Sequence, residues 1–229
     1  MIPLVCPVHR TILSSDLKCP AGHRYTFVNG IPDFVGTPNV PDLLERVAPF
    51  YESLWAPLGM LVTARRTYSS ILKEAGSFTK ADTYLDIGTG TGKIFDYVPC
   101  SDCVGLDLSL RFLEILKSKR SKVRVIRGDA TSLPFPSESF QGVNSMLVLH
   151  MLNEPAVGIS EISRVLVKGG RCSVGVLVEG GFLSSFLSSW WKLRPRTQEY
   201  YEKALEGHGL KVVHMERIGP WAFIKCEKL

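Results

Sequence analysis

The run Leu-Asp-Ile-Gly-Thr-Gly-Thr-Gly-Lys over residues 85–93 constrains the fold of this chain more than any other feature. Three glycines alternate directly after a stretch that ends on Asp86. Glycine lets a ligand lie against bare backbone, and such turns sit at the carboxyl edge of a parallel sheet, where the next helix begins. The run therefore predicts a strand, a ligand-binding turn and a helix start in an α/β fold.

Strands and helices are predicted to alternate from residue 81 onward. The expected strands are 83–87, 103–107, 123–126, 142–149, 171–177, 210–217 and 221–227, and the expected helices are 92–98, 109–119, 154–167 and 196–208. This order predicts a Rossmann-like, seven-stranded, mostly parallel sheet with helices on both faces. Only Gly219 and Pro220 separate the last two strands, so the last strand is expected to be antiparallel.

Spacing excludes two common nucleotide-binding motifs in the glycine run. A Walker A loop needs four residues before its Gly-Lys pair, but Gly88 and Gly92 enclose only three. A dinucleotide fingerprint needs its third glycine at position 93, which is Lys93. The remaining pattern, Asp86-x-Gly88-x-Gly90-x-Gly92, resembles the S-adenosylmethionine loop of class I methyltransferases of the ubiquinone and menaquinone biosynthesis type.

The resemblance extends over most of residues 81–229, through motifs that follow one another in the family's order. After the glycine loop come VGLDLS, RGDA, FQGVNS, VLHML and EISRVLVKGG; Gln141 stands where the family usually has an acid. The resemblance implies a methyltransferase with S-adenosylmethionine as cofactor. It places Asp86, Gly88 and Gly90 at the methionine end, Asp107 and Leu108 at the ribose, Asp129 and Ala130 at the adenine, and Gly92 and Ser145 as further contacts.

His150 follows the fourth core strand, near the expected position of the transferred methyl group. The ordinary pKa of histidine suits a general base, which makes His150 the candidate catalytic residue. The alternative is that His150 begins the next helix and packs there. The methyl acceptor stays open between a small apolar or aromatic molecule and an RNA base.

Residues 180–193 form an insert after the fifth core strand. Two glycines precede a run in which apolar pairs recur every four residues and which ends on Trp190 and Trp191. This pattern predicts a helix with an apolar stripe. The helix is either a lid over an apolar or aromatic acceptor or a permanently docked element.

Residues 1–35 are expected to form a small zinc-binding β module. Two Cys-Pro turns offer Cys6, His9, Cys19 and His23 as tetrahedral ligands of a structural zinc ion. The alternative is plain thiols or a disulfide with two surface histidines. Asn29-Gly30 predicts a short hairpin.

The module resembles the small zinc-ribbon proteins that activate tRNA and protein methyltransferases, and the zinc module of ribosomal-RNA guanine methyltransferases. His9 stands where those proteins usually have cysteine. This resemblance implies a second candidate function, in which the chain is a non-catalytic partner that activates another methyltransferase.

A connector or cap is expected over residues 36–80, between the module and the methyltransferase domain at 81–229. Apolar residues recur at helical spacing from Leu43 to Trp55, and a second helical run over 61–75 is expected to close at Gly76. Tyr51 is the connector residue expected to contact the ligand.

The net charge of +5 permits a nucleic-acid partner without requiring one. A basic cluster, residues 117–127, is read either as a solvated surface or as an RNA footprint. We expect a cytoplasmic protein with no membrane span, because no apolar run is long enough and no secretory signal is visible. The six cysteines then suggest metal ligands or free thiols, and Cys100 and Cys103 are expected to be ordinary thiols. Nothing in the sequence specifies an oligomeric state.

Overall fold

The computed structural model describes residues 1–36, 46, 48–191 and 193–229, and the side chain of residue 191 lies outside the description. The strands are β1 (Thr26–Val28), β2 (Ile31–Asp33), β3 (Thr83–Ile87), β4 (Asp102–Asp107), β5 (Arg124–Arg127), β6 (Phe140–Met146), β7 (Leu166–Leu177), β8 (Leu210–Ile218) and β9 (Trp221–Lys228). They form one sheet in the order β1-β2-β5-β4-β3-β6-β7-β9-β8.

Six α-helices are assigned within the described ranges. They are α1 (Ala56–Ala64), α2 (Tyr68–Thr79), α3 (Leu110–Lys119), α4 (Pro155–Val165), α5 (Phe182–Trp191) and α6 (Gln198–Gly207). A 3-10 turn at Ala48–Phe50 and a π-helical turn at Tyr51–Trp55 lead into α1. No described helix is long and apolar enough to cross a bilayer.

The core of the sheet has the predicted parallel arrangement. Strands β5, β4, β3, β6 and β7 pair in parallel, and β9 lies antiparallel between β7 and β8. The α/β class and the antiparallel last strand are therefore confirmed. Because all five parallel strands point the same way, their carboxyl ends meet at one edge, where the glycine run follows β3.

The N-terminal hairpin extends this same sheet. Val28 pairs with Ile31 across Asn29 and Gly30, whose φ angles of 52° and 69° suit a tight hairpin turn. Strand β2 then pairs in parallel with β5 at Asp33. The seven predicted core strands are thus joined by two strands from residues 1–35, and the module is docked on the core.

The helices of the connector differ from the expected run over 61–75. Arg65 has a left-handed φ of 51° and ends α1, and the Thr67 side chain caps α2 by accepting a hydrogen bond from the Ser70 amide. Gly76 does not end a helix. A Cβ atom there would lie 2.7 Å from Val98 Cγ2, so glycine permits close packing inside α2. The predicted helical residues 43–45 and 47 lie outside the described part of the chain.

Two further expectations are wrong. The expected helix over 92–98 is a single 3-10 turn at Lys93–Asp96, because Gly92 enters it in the left-handed conformation. Cys100 and Cys103 are joined by a disulfide, with Cα atoms 5.4 Å apart, and are not free thiols. The turn that precedes β4 brings their Cα atoms within disulfide range.

Candidate active site

The glycine run connects β3 to the 3-10 turn at the carboxyl edge of the sheet. Gly88 and Gly90 have left-handed φ angles of 67° and 53°, which side chains rarely adopt. A Cβ atom at Gly88 would collide with Val148, whereas one at Gly90 would meet Tyr51 Cε1 at 3.8 Å. Gly88 is therefore required for packing, while Gly90 keeps the backbone bare toward a cavity.

Asp86 is buried below this turn. Its Oδ1 atom accepts a 2.7 Å hydrogen bond from Asn144 Nδ2 on the neighbouring strand β6. Burial raises the pKa of Asp86 to about 7, because the bond from Asn144 offsets only part of the lost hydration. Near neutral pH this carboxyl group is therefore poised between its two protonation states.

Asp107 ends β4 and holds the glycine turn in place. Its Oδ2 atom accepts a 2.8 Å hydrogen bond from the Gly90 amide, and its Oδ1 atom accepts a 2.9 Å bond from the Ser109 amide. Ser109 in turn caps α3 by accepting from the Phe112 amide. One carboxylate thus links the turn to the start of α3.

A cavity of about 280 Å³ lies over this arrangement, and we call it the loop cavity. Six of the residues predicted from the sequence line it, namely Tyr51, Gly88, Gly90, Asp107, Leu108 and Ala130. Four others, Asp86, Gly92, Asp129 and Ser145, lie outside its lining. The Asp129 carboxylate instead accepts hydrogen bonds from the Thr131 amide and hydroxyl, at 2.8 and 2.7 Å.

Sequence reasoning did not single out several residues of the loop cavity. Tyr68, Phe112, Val148 and Met151 all line it. Phe112 packs edge-to-face on Tyr51, with ring centroids 5.2 Å apart. Helical periodicity marks Tyr68 and Phe112 as core, and Val148 and Met151 belong to the VLHML motif without an assigned role, so no local signal separates a cavity wall from ordinary packing.

Two polar atoms are buried in β6, directly before a residue that lines the loop cavity. Within the described residues, Asn144 Oδ1 and Ser145 Oγ are buried without a hydrogen-bond partner, directly before Met146 of the cavity lining. Buried polar groups are usually paired. Neither residue lines the loop cavity, so the fit to a nucleoside with hydroxyl and amino groups rests on the bare backbone at Gly90 and on the Asp107 carboxylate.

Tyr51 is held over the loop cavity by its neighbour Glu52. Glu52 accepts hydrogen bonds from Thr91 Oγ1 at 2.9 Å and from Arg120 Nη2 at 3.0 Å. Although burial opposes ionisation, these bonds keep the pKa of Glu52 below its ordinary value. Burial, assisted by the negative charge of Asp107, raises the pKa of Tyr51 to about 12, so Tyr51 is a neutral phenol.

A second, larger cavity adjoins the first, and we call it the apolar cavity. Its volume is about 550 Å³, and α1, α5, the end of β7 and Trp221 form its walls. Tyr51, Leu147 and Met151 line both cavities. A molecule in the apolar cavity would therefore lie next to a molecule in the loop cavity.

His150 is one of the few polar side chains that line the apolar cavity. It is 6% exposed, and its ring lies 5.8 Å from that of Trp221. Burial lowers the pKa of His150 to about 3, so the imidazole is neutral at physiological pH. The Nδ1 atom is buried without a hydrogen-bond partner among the described residues.

The cysteines and histidines of the N-terminal module also converge. The Cys6 sulfur lies 3.7 Å from His9 Nδ1 and 3.5 Å from His23 Nδ1, and these three ligand atoms fall within 4.8 Å of one another. Cys19 Sγ lies 3.5 Å from His9 Nδ1 and also contacts Thr11, but it is not part of the group of ligand atoms that all lie within 4.8 Å of one another. Burial alone would raise the pKa of Cys6, but hydrogen bonds from Tyr25 and His23 lower it to about 5.

Comparison with known proteins identifies the central part of the chain. Residues 85–174 match the family described as methyltransferase domain. The chloroplastic 2-methyl-6-phytyl-1,4-hydroquinone methyltransferase of Spinacia oleracea is 35% identical over 143 residues, which cover 59% of this chain and 41% of that protein. The demethylmenaquinone methyltransferase of Paenarthrobacter aurescens is 32% identical over 183 residues, 79% of this chain and 66% of that protein.

The fold has close counterparts among solved structures. A chain from the complex between the Haloferax volcanii Trm112 methyltransferase activator and a methyltransferase superposes with a TM-score of 0.68 at 19% identity, over 82% of this chain and 99% of that chain. The chain spans less than half of the length of the first curated relative. The core of this protein nevertheless belongs to the class I S-adenosylmethionine-dependent methyltransferases.

Proposed function

We propose that this protein transfers a methyl group from S-adenosylmethionine to a small apolar acceptor in the apolar cavity. The observation that carries the proposal is the shared wall of the two cavities, formed by Tyr51, Leu147 and Met151. The loop cavity has the bare backbone and carboxylate that suit the cofactor, and the apolar cavity has almost no polar side chains.

The chain's own residues would position the reactants and keep water away. S-adenosylmethionine, when bound, supplies a methyl group that is already activated by a sulfonium. Alignment of an acceptor with such a group can account for about 7–11 kcal/mol of a barrier. Tyr51 would close the loop cavity, and His150 would accept a hydrogen bond from the acceptor's polar group and orient it.

The curated relatives suggest the chemical class of the acceptor to test first. Their names state a hydroquinone and a demethylmenaquinone as substrates. An aromatic ring with a hydroxyl group and an apolar substituent would match the apolar cavity and its buried histidine. We therefore propose a quinol-type acceptor.

The basic cluster gives little support to an RNA acceptor. Five of its six cations are engaged within the chain. Lys117 and Arg127 bond the N-terminal hairpin, Arg124 bonds the Ile2 carbonyl, and Lys119 and Arg120 bond Glu52. These contacts favour a docking role over an RNA footprint, and they support a small-molecule acceptor.

The module's docking also bears on the activator hypothesis. Arg127 Nη1 donates to Asp33 at 2.8 Å, and Arg10 bonds Glu161 and the Leu133 carbonyl at 3.1 and 2.8 Å. The module is thus joined to the chain's own core. We propose that the module supports this core. We also propose that the protein is cytoplasmic.

Label transfer from methyl-labelled S-adenosylmethionine tests the proposed function. We expect label in a quinol acceptor such as an alkylated 1,4-hydroquinone, and none in total RNA. If RNA alone becomes labelled, the apolar-acceptor proposal is wrong. If the protein shows neither cofactor binding by calorimetry nor label transfer, the activator hypothesis replaces it.

Replacing Glu52 with Gln should weaken cofactor binding about tenfold with little change in kcat. The substitution removes the negative charge to which Arg120 and Thr91 donate hydrogen bonds. A hydrogen bond to a charged group contributes about 1.5–3 kcal/mol. Tyr51 would then be held less firmly over the loop cavity. Calorimetry and steady-state kinetics measure the effect, with Glu199→Gln, at an exposed ion pair with Lys203, as the matched control.

Cofactor affinity should rise as the pH increases from 6 to 8. With a pKa of about 7, Asp86 is mostly protonated at pH 6, and a cationic ligand favours its carboxylate form. Binding should therefore release a proton, and affinity should gain up to about tenfold over this range. Calorimetry at several pH values measures this slope; an equal slope in Asp86→Asn would assign it to another group.

We propose that Cys6, His9, Cys19 and His23 hold a structural zinc ion. The sulfur–nitrogen separations of 3.5 to 3.7 Å match the edge of a zinc-centred tetrahedron, about 3.5 Å for ordinary bond lengths. All four ligands come from the protein, so the site would stabilise the module and leave no position for catalysis.

The purified chain should contain about one zinc ion, and the double variant Cys6→Ser/His23→Ala should contain almost none. Metal analysis by mass spectrometry measures the content. His214→Ala removes an exposed histidine on β8 and serves as control. Equal zinc content in both variants would rule out the proposed ligands.

A further inference from the structure

Exposed apolar side chains concentrate on two helices that border the apolar cavity. On α1, Leu61 and Val62 are 55% and 66% exposed. On α5, Phe182 and Trp190 are 87% and 63% exposed, and Phe186 is half exposed. We call these two helices and their exposed side chains the apolar rim.

Both helices of the rim are apolar on their inner and outer sides. Leu183 and Leu187 of α5 line the apolar cavity, while Phe182 and Trp190 face outward. Ser184 is buried and donates to the Val178 carbonyl at 2.5 Å, whereas Ser185 and Ser189 are exposed and add a short uncharged polar stripe to the outer side of α5. Large apolar side chains that cluster on the exposed side of a helix normally mark a surface that contacts protein or lipid.

The rim is continuous with the interior of the cavity. Leu58, Val62 and Phe186 line the apolar cavity and are also more than half exposed. These side chains therefore form the mouth of the cavity. The opening between the cavity and the outside of the protein is therefore lined by apolar side chains.

Charge is distributed around the rim in a way that suits an anionic surface. Neither α1 nor α5 contains a charged residue, and exposed Arg65 and Arg194 follow their carboxyl ends. Arg217 approaches the start of α5, where its Nη2 atom donates to the Gly180 carbonyl at 3.1 Å. Glu179 is the exposed carboxylate beside this arginine. Basic residues at the edge of an apolar helix favour anionic lipid headgroups.

We propose that the apolar rim docks on the surface of an anionic lipid bilayer. Helices α1 and α5 would lie in the interface between headgroups and acyl chains, with the arginines at the headgroups. A second copy of the chain on this rim would close the mouth of the cavity. On a bilayer, the mouth would instead face apolar molecules dissolved in the membrane.

Passage of an acceptor from the bilayer into the cavity rests on the proposed function, but docking itself does not. Vesicle binding can therefore be measured on the full chain without cofactor or acceptor. Failure of docking would leave label transfer to a dispersed acceptor intact, and failure of label transfer would leave docking intact.

Flotation with phosphatidylcholine vesicles, with and without about 30% phosphatidylglycerol, tests the proposal. We expect the chain to float with the anionic vesicles and to be released progressively by salt. The variant Phe182→Ser/Trp190→Ser should bind at least about tenfold more weakly, since two large apolar side chains leave the interface. Arg65→Gln/Arg194→Gln should lose binding to anionic vesicles by a similar factor.

Phe27→Ser and Val157→Ser are the matched controls, because both side chains are exposed on other elements. They should bind vesicles like the unchanged chain, and circular dichroism checks that every variant is folded. Failure to bind anionic vesicles, or equal binding by the Phe182→Ser/Trp190→Ser variant, would overturn the proposal. A dimer in sedimentation that this variant dissociates, without vesicle binding, would assign the rim to a second copy instead.

Discussion

Replacing Asp107 with Ala should weaken S-adenosylmethionine binding by at least about 100-fold. Its carboxylate holds the Gly90 and Ser109 amides at 2.8 and 2.9 Å and lines the loop cavity. Each hydrogen bond to a charged group contributes about 1.5–3 kcal/mol, so the turn and the cofactor hydroxyls both lose a strong acceptor. The cofactor affinity of Asp107→Asn should lie between that of Asp107→Ala and that of the unchanged chain, because asparagine keeps one acceptor oxygen and loses the charge.

Calorimetry with the full chain measures this affinity. Asp102→Asn is the matched control, because Asp102 begins the same strand and bonds the Ile2 amide, far from the glycine turn. Its affinity should equal that of the unchanged chain. If Asp107→Ala binds the cofactor within about fivefold of the unchanged chain, the ribose assignment is wrong.

Replacing His150 with Phe should lower kcat about 100-fold while leaving cofactor affinity within about twofold. With a pKa of about 3, His150 acts by orienting the acceptor and not as a base; a misplaced reactant costs about 100-fold, and a phenyl ring has no lone pair to orient it. Phenylalanine preserves the ring contact with Trp221, so the loss would not result from a packing defect. Turnover of labelled acceptor at saturating cofactor measures the effect.

The buried, neutral state of His150 determines how turnover and stability depend on pH. Because its pKa is about 3, His150 should not impose a titration on kcat between pH 5 and 8. The unfolded chain binds a proton at this histidine below about pH 6.5, so the folded state loses stability as the pH falls from there toward 3. The stability of the His150→Phe variant should depend less on acidic pH. Unchanged turnover in this variant would show that His150 serves only packing.

The strands and their order along the chain could be predicted because the signals are local. Alternating apolar runs, the Asn29-Gly30 turn and the two-residue link at Gly219 each specify geometry within a few residues. The glycine turn and Asp107 belong to this class, since a strand end places them at the sheet edge. The docking of β2 against β5 could not be predicted in this way, because it joins residues about 90 positions apart through Asp33 and Arg127.

The residues of the sequence determined the α/β core, the glycine turn and the cofactor class, because repeating backbone geometry and short motifs act over neighbouring positions. Folding brings together the cations that bond the fold, the side chains that share the wall between the two cavities, and the contacts by which Glu52 holds Tyr51 over the loop cavity. In the sequence, the basic cluster could equally be a solvated surface or an RNA footprint, and the residues of the cavity walls could equally be ordinary core. Their contacts depend on chain segments that meet only after folding, when burial and charge pairing are set by distant neighbours.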